Sequence, residues 1–158
     1  MIVSELFEGE LKNNTLDFAA DLRENNISIT TATNGAWKIS YKGKNLGRIV
    51  WMEKNFYAVE TYMDHSKEFE DFILSENLQE IMWKNIYQCR RCSPKKCAVQ
   101  ANKNVDGYIG FDRVFFGKKF DNTCKFWQGG VFRNPDKETF ECIKKVLNYK
   151  KQIIIKNS

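Results

Sequence analysis

Apolar and polar positions change period along this chain, and the changes mark out its elements. Residues 15–25 place Leu16, Ala19, Ala20 and Arg23 on one stripe with Phe18 and Leu22 beside it. That spacing of three and four predicts a short helix ending at Asn25-Asn26. The period then falls to two. Ile27–Thr33 is β-branched for most of its length, and Trp37, Ile39 and Tyr41 alternate with polar residues. Leu46–Met52 and Phe56–Met63 follow after turns at Lys42–Asn45 and Glu53–Asn55, so an antiparallel meander is expected.

Helical spacing returns at Phe69, Phe72 and Ile73, with Asp64 or Ser66 as the cap, and again at Leu78, Ile81, Met82 and Ile86 after Asn77. Further on, Arg113–Phe116 and Lys119–Phe126 flank Gly117-Lys118, which reads as a two-residue hairpin turn. Gln128-Gly129-Gly130 reads as a turn before Val131-Phe132. Asn134-Pro135 opens a last helix carrying Phe140, Ile143, Val146 and Leu147, and Ile153–Ile155 adds a strand to the tail. The expected class is α+β. Residues 1–88 form a meander core with flanking helices, and residues 89–158 form a cysteine knuckle, hairpin and helix on the same domain.

Composition changes this picture little. The chain has 158 residues, 42% hydrophobic, with nine Gly and two Pro, which excludes low-complexity and disordered classes. No stretch approaches the roughly 20 apolar residues of a membrane helix, and the start lacks a signal-peptide pattern, so a cytoplasmic protein is expected. Charge adds more. Residues 1–79 hold 8 Lys/Arg against 13 Asp/Glu, and residues 80–158 hold 17 against 7. Such asymmetry suits either an anionic partner or two halves that neutralise each other.

The sharpest chemical signal is Cys89-Arg-Arg-Cys92-Ser-Pro-Lys-Lys-Cys97, with Cys124 27 residues further on. Two intervening residues let a turn aim two sulfurs at one ion, and two more sulfurs complete the tetrahedron that structural zinc prefers. Arg90, Arg91, Lys95 and Lys96 would favour the thiolates. Zinc held by Cys89, Cys92, Cys97 and Cys124 is therefore expected. The last helix makes Cys142 a core thiol, or a replacement for Cys124 if that helix packs over the knuckle. An iron–sulfur or thiol redox protein is the third alternative, although the gaps fit neither common ferredoxin pattern.

Catalytic patterns are thin. His65 is the sole histidine, at a strand-to-helix junction, and no Gly-x-Ser-x-Gly, Walker or Gly-x-Gly-x-x-Gly motif occurs, so binding is expected rather than catalysis. Alternation along Phe56–Met63 sets Glu60 beside Phe56, Ala58 and Tyr62. With Trp37, Tyr41 and Trp51 from neighbouring strands, these residues would wall a pocket for an organic cation. In the basic half, Phe115, Phe116, Phe126, Trp127 and Phe132 interleave with Lys118, Lys119, Lys125 and Arg133. With the knuckle, that pattern suits stacking on nucleic-acid bases.

The run Trp37-Lys-Ile-Ser-Tyr-Lys-Gly-Lys followed by Phe56-Tyr-Ala-Val-Glu resembles the central meander of small bacterial α+β domains. More distantly it resembles gyrase-inhibitor-like effector-binding domains, which hold drug-like cations. The resemblance spans residues 15–88 and implies ligand binding centred on Glu60. A small ligand-binding or regulatory domain with a structural zinc is the leading expectation, and a zinc-knuckle nucleic-acid-binding protein is the alternative.

Overall fold

The computed structural model describes residues 9–33, 35–53, 56–88, 111–124 and 129–158, without the side chains of Leu11 and Met52. The elements run α1 (Gly9–Glu24), β1 (Ser28–Thr33), β2 (Ala36–Tyr41), β3 (Lys44–Glu53), β4 (Phe56–Tyr62), α2 (Lys67–Ser75), α3 (Gln79–Lys84), β5 (Phe111–Phe115), β6 (Lys118–Thr123), β7 (Gly129–Arg133) and α4 (Lys137–Lys156). Strands β1-β2-β3-β4-β7 form one sheet in that order, and β5-β6 form a hairpin. The fold is α+β. One compact unit comprises Met1–Tyr62 with Val131–Ser158, and the other comprises Met63–Gly130. These units cut across the 1–88 and 89–158 division expected from sequence, because α4 packs against α1 and β3.

Local chemistry accounts for the boundaries. Helix α1 ends on Asn26 in the left-handed region (φ 56°), with Ile27 N–H donating to Leu22 O at 2.8 Å and Asn26 N–H to Arg23 O at 2.9 Å. This pair of bonds satisfies the helix's last carbonyls, and asparagine tolerates the backbone it requires. Asn77 (φ 55°) repeats the motif, its N–H donating to Leu74 O and that of Leu78 to Ile73 O. Asn77 therefore closes α2 rather than capping the next helix. Ser66 opens α2, its Oγ accepting from Phe69 N–H at 3.2 Å.

Two hairpins turn on paired left-handed residues, Lys42-Gly43 (φ 45° and 76°) and Phe116-Gly117 (φ 51° and 78°). A two-residue turn with both residues at positive φ matches the strand twist and places glycine second. The second hairpin thus turns one residue earlier than Gly117-Lys118, and Phe115 pairs with Lys118.

Three further expectations are corrected. Gly129 and Gly130 are buried residues of β7, with Gly130 bridged to Ile86, rather than a turn. Asp136, not Asn134, caps α4, its Oδ1 accepting from Thr139 N–H at 2.8 Å. Asn134 instead imitates a strand partner: its N–H donates to Tyr57 O, and its Oδ1 accepts from Tyr57 N–H, both at 3.0 Å. Finally, Ile153–Ile155 continue α4 instead of adding a strand. The helix penalty of isoleucine is only tenths of a kcal/mol, whereas each added helical residue keeps a backbone hydrogen bond.

In the first unit the core joins Phe18 and Leu22 of α1 to Ile39, Ile49, Tyr57 and Val59 of the sheet and to Phe140, Ile143 and Leu147 of α4, all at 2% exposure or less. The rings of Phe18 and Phe140 lie 4.8 Å apart. Tyr57, fully buried, bonds Thr15 Oγ1 through its hydroxyl at 2.9 Å, and burial pushes that phenol up to about 12. In the second unit Phe69, Ile73, Met82, Phe115 and Phe116 are buried, and Trp83 Nε1 donates to Phe115 O at 2.8 Å.

Candidate functional site

Register decides the fate of the expected Glu60 pocket. Lys38 pairs with Arg48, and Arg48 with Glu60, so these three stand in one cross-strand row. Trp37 pairs with Ile49, and Ile49 with Val59, while Trp51 pairs with Tyr57. Adjacent rows project to opposite faces of a sheet. Trp37 and Trp51 therefore share the core face with Tyr57 and Val59, and Glu60 points to the other. The aromatic wall does not assemble around the carboxylate. Alternation within β4 groups Glu60 with Ala58 and Tyr62, but the phase of β2 and β3 against it is set by pairing and by bulges near Ser40 and Glu53.

Glu60 already has a cation. Its Oε2 accepts from Arg48 Nε, and Arg133 adds a second positive charge nearby. The Glu60 side chain is only 13% exposed. Burial outweighs these basic neighbours and holds its carboxyl above the usual range. This is an internally satisfied ion pair.

Tyr41 and Tyr62, the other two expected pocket residues, lie at one end of the sheet, where β2 and β4 finish and β3 begins. There they meet lysines. Lys42 Nζ lies 5.8 Å and Lys151 Nζ 5.6 Å from the Tyr41 ring centroid, and Lys150 Nζ lies 5.8 Å from that of Tyr62. Asn45 Nδ2 donates to Tyr62 Oη at 3.4 Å. Lys150 also reaches Leu46 O at 3.4 Å, which ties α4 to the start of β3. Sequence reasoning missed this grouping, because Tyr41 and Lys151 are 110 residues apart and only the docking of α4 unites them.

Of the expected metal ligands, Cys89, Cys92 and Cys97 lie outside the described residues, as do Arg90, Arg91, Lys95, Lys96 and Lys125. Cys124 is a half-buried free thiol following β6. Its N–H donates to Tyr87 O at 3.3 Å, and Thr123 bridges Gln88. Cys124 is thus laid alongside the two residues that lead into Cys89. A cleft of about 10 Å³, room for about one water, opens beside it between Met63, Tyr87, Arg113 and Thr123. Among the described residues no group of three or more His, Cys, Asp and Glu side chains is gathered. Cys142 is 1% exposed, and burial pushes its thiol up to about 12, which makes it an inert core group.

The hairpin lysines divide. Lys118 lies 5.0 Å from the Trp83 ring and 5.6 Å from that of Phe120, whereas Lys119 is bound to Asp112 and Asp121 at 3.1 and 3.2 Å. The rings of His65 and Phe115 lie tilted to one another, 5.9 Å between centroids. Among the described residues no helix is long and apolar enough to cross a membrane. No protein-family model, curated protein or solved structure matches the chain.

Proposed function

We propose that the chain is a nucleic-acid-binding protein whose second unit is fastened by a structural zinc. The carrying observation is the pairing of Cys124 with Tyr87 and of Thr123 with Gln88, which draws the fourth cysteine beside the chain entering Cys89. Cys89 and Cys124 are 35 residues apart in sequence, and this pairing supports their sharing one ion. Cys89, Cys92, Cys97 and Cys124 would hold the metal, and zinc would supply a tetrahedral tie that redistributes no electrons. The thiols stay available in a reducing compartment such as the cytoplasm.

Arg90, Arg91, Lys95 and Lys96 lie within that cysteine run, so the tie would organise four cations for phosphate contact, with Lys118 contributing from the hairpin. A small-molecule function for the Glu60 face is set aside, because its carboxylate is met by Arg48. Elemental analysis of the purified chain tests the zinc reading. One zinc per chain is expected, released by Cys92→Ser. Protein free of transition metal, with Cys89, Cys92 and Cys97 titrating as open thiols, overturns it.

A further inference from the structure

Charge is segregated in the first unit more sharply than the chain's net +5 suggests. Residues 25–52 contain four basic residues and no acid, and residues 142–158 contain five and no acid. The fold brings part of each stretch together. Lys42 and Lys44 sit at the β2–β3 turn, and Lys150 and Lys151 sit in the last turns of α4, around Tyr41 and Tyr62. Lys42, Lys44 and Lys151 form no ion pair within the described residues. Asp21 and Glu141 engage Lys144, nearer the start of α4. Tyr62 is 42% exposed, and Asn45 steadies its hydroxyl.

We infer that this tyrosine–lysine end of the sheet is a binding surface for single-stranded nucleic acid. Lys42, Lys44 and Lys151 would contact phosphates, and Tyr62 would stack on a base. The inference rests on the nucleic-acid reading above but uses residues remote in sequence from the cysteines. Three cations with no ion pair among the described residues supply the sequence-independent attraction that a phosphate backbone requires. The half-exposed Tyr62 ring, with Lys150 Nζ 5.8 Å from its centroid, supplies the stacking platform that single strands use and duplexes hide. An acidic membrane would also attract the lysines. Insertion, however, needs a continuous apolar face, and of the Ile153–Ile155 run Ile153 and Ile154 are half-buried while Ile155 is 43% exposed.

Fluorescence anisotropy of a labelled oligothymidylate with the full chain tests this surface. With three phosphates neutralised the salt slope should be about −2, so affinity should fall roughly twentyfold between 50 and 200 mM salt. Lys44→Gln with Lys151→Gln should make that slope shallower by about 1.4. Tyr62→Leu should weaken binding roughly five- to one-hundred-fold, and Tyr62→Phe should retain it. Metal content measured on the same samples separates the two readings. Lost binding with zinc retained in the patch variants supports this surface. Wild-type binding in those variants, with loss confined to Cys92→Ser, overturns it and leaves the zinc reading standing. No binding at 50 mM salt overturns it outright. So does tighter binding to a matched duplex, or capture by phosphatidylserine vesicles that the oligonucleotide does not displace.

Discussion

Gly47 offers a sensitive test of how closely β3 and β4 are drawn together. An ideal Cβ built on Gly47 would lie 2.3 Å from the carbonyl oxygen of Glu60, and 3.4 Å from Glu60 C and Thr61 Cα. The obstacle is backbone, so no rotamer change relieves it. Restoring ordinary contact requires the two strands to part by about 1 Å where Gly47 pairs with Thr61. Overpacking of this kind costs about 1–3 kcal/mol, and a weakened ladder bond adds about 1 kcal/mol, so Gly47→Ala should cost about 2–4 kcal/mol. For a chain of this size that lowers the melting temperature by roughly 5–15 °C. Circular dichroism melts, with urea titrations to confirm an unchanged m-value, give the measurement. Gly43→Ala is the control. It meets nothing within 4 Å but holds φ +76°, so it should cost about 1–2 kcal/mol from the left-handed backbone alone. A Gly47→Ala melt within about 2 °C of the parent, or a larger loss in Gly43→Ala, would refute the close approach.

Two further outcomes follow from titratable groups. Because burial raises the Glu60 carboxyl in the fold, the native state binds more proton than the unfolded chain. That stabilising contribution is present below the unfolded value and is lost as pH rises through the folded one. Glu60→Gln should flatten this part of the stability–pH curve, and urea midpoints measured from pH 4 to 7 that decline equally in both proteins would contradict it. Cys142, its thiol pushed up to about 12, should resist iodoacetamide at neutral pH in the folded protein. Peptide mapping that finds Cys142 alkylated as fast as in urea would show that α4 does not bury it.

Local signals in the sequence carried much of the architecture. The meander was legible because β1 to β4 are joined by short turns, and the Ser66 cap was legible because capping is a four-residue matter. What failed needed information from afar. Glu60 shares its strand face with Tyr62 as alternation requires, yet Trp37 and Trp51 point away from it because cross-strand phase depends on register. Asn134 reads as a helix cap until Tyr57, 77 residues earlier, claims its side chain. Ile153–Ile155 look like strand by propensity, but they extend a helix already begun at Lys137. The lysine–tyrosine grouping was hidden for the same reason: its members belong to opposite ends of the chain.

The order β1-β2-β3-β4-β7 also has a consequence during synthesis. Strand β4 finishes at Tyr62, and its outer neighbour β7 does not begin until Gly129. At about 5–20 residues per second, the ribosome needs roughly 3–13 s to supply that partner. Throughout this interval the nascent meander presents an open hydrogen-bonding edge at Phe56–Tyr62, with Tyr57, Ala58 and Val59 lacking part of their final cover. An exposed apolar edge is a template for pairing with another chain. Crowded polysomes, rather than the finished protein, are therefore where this topology is most prone to aggregate, and a chaperone that shields strand edges for seconds would raise its yield.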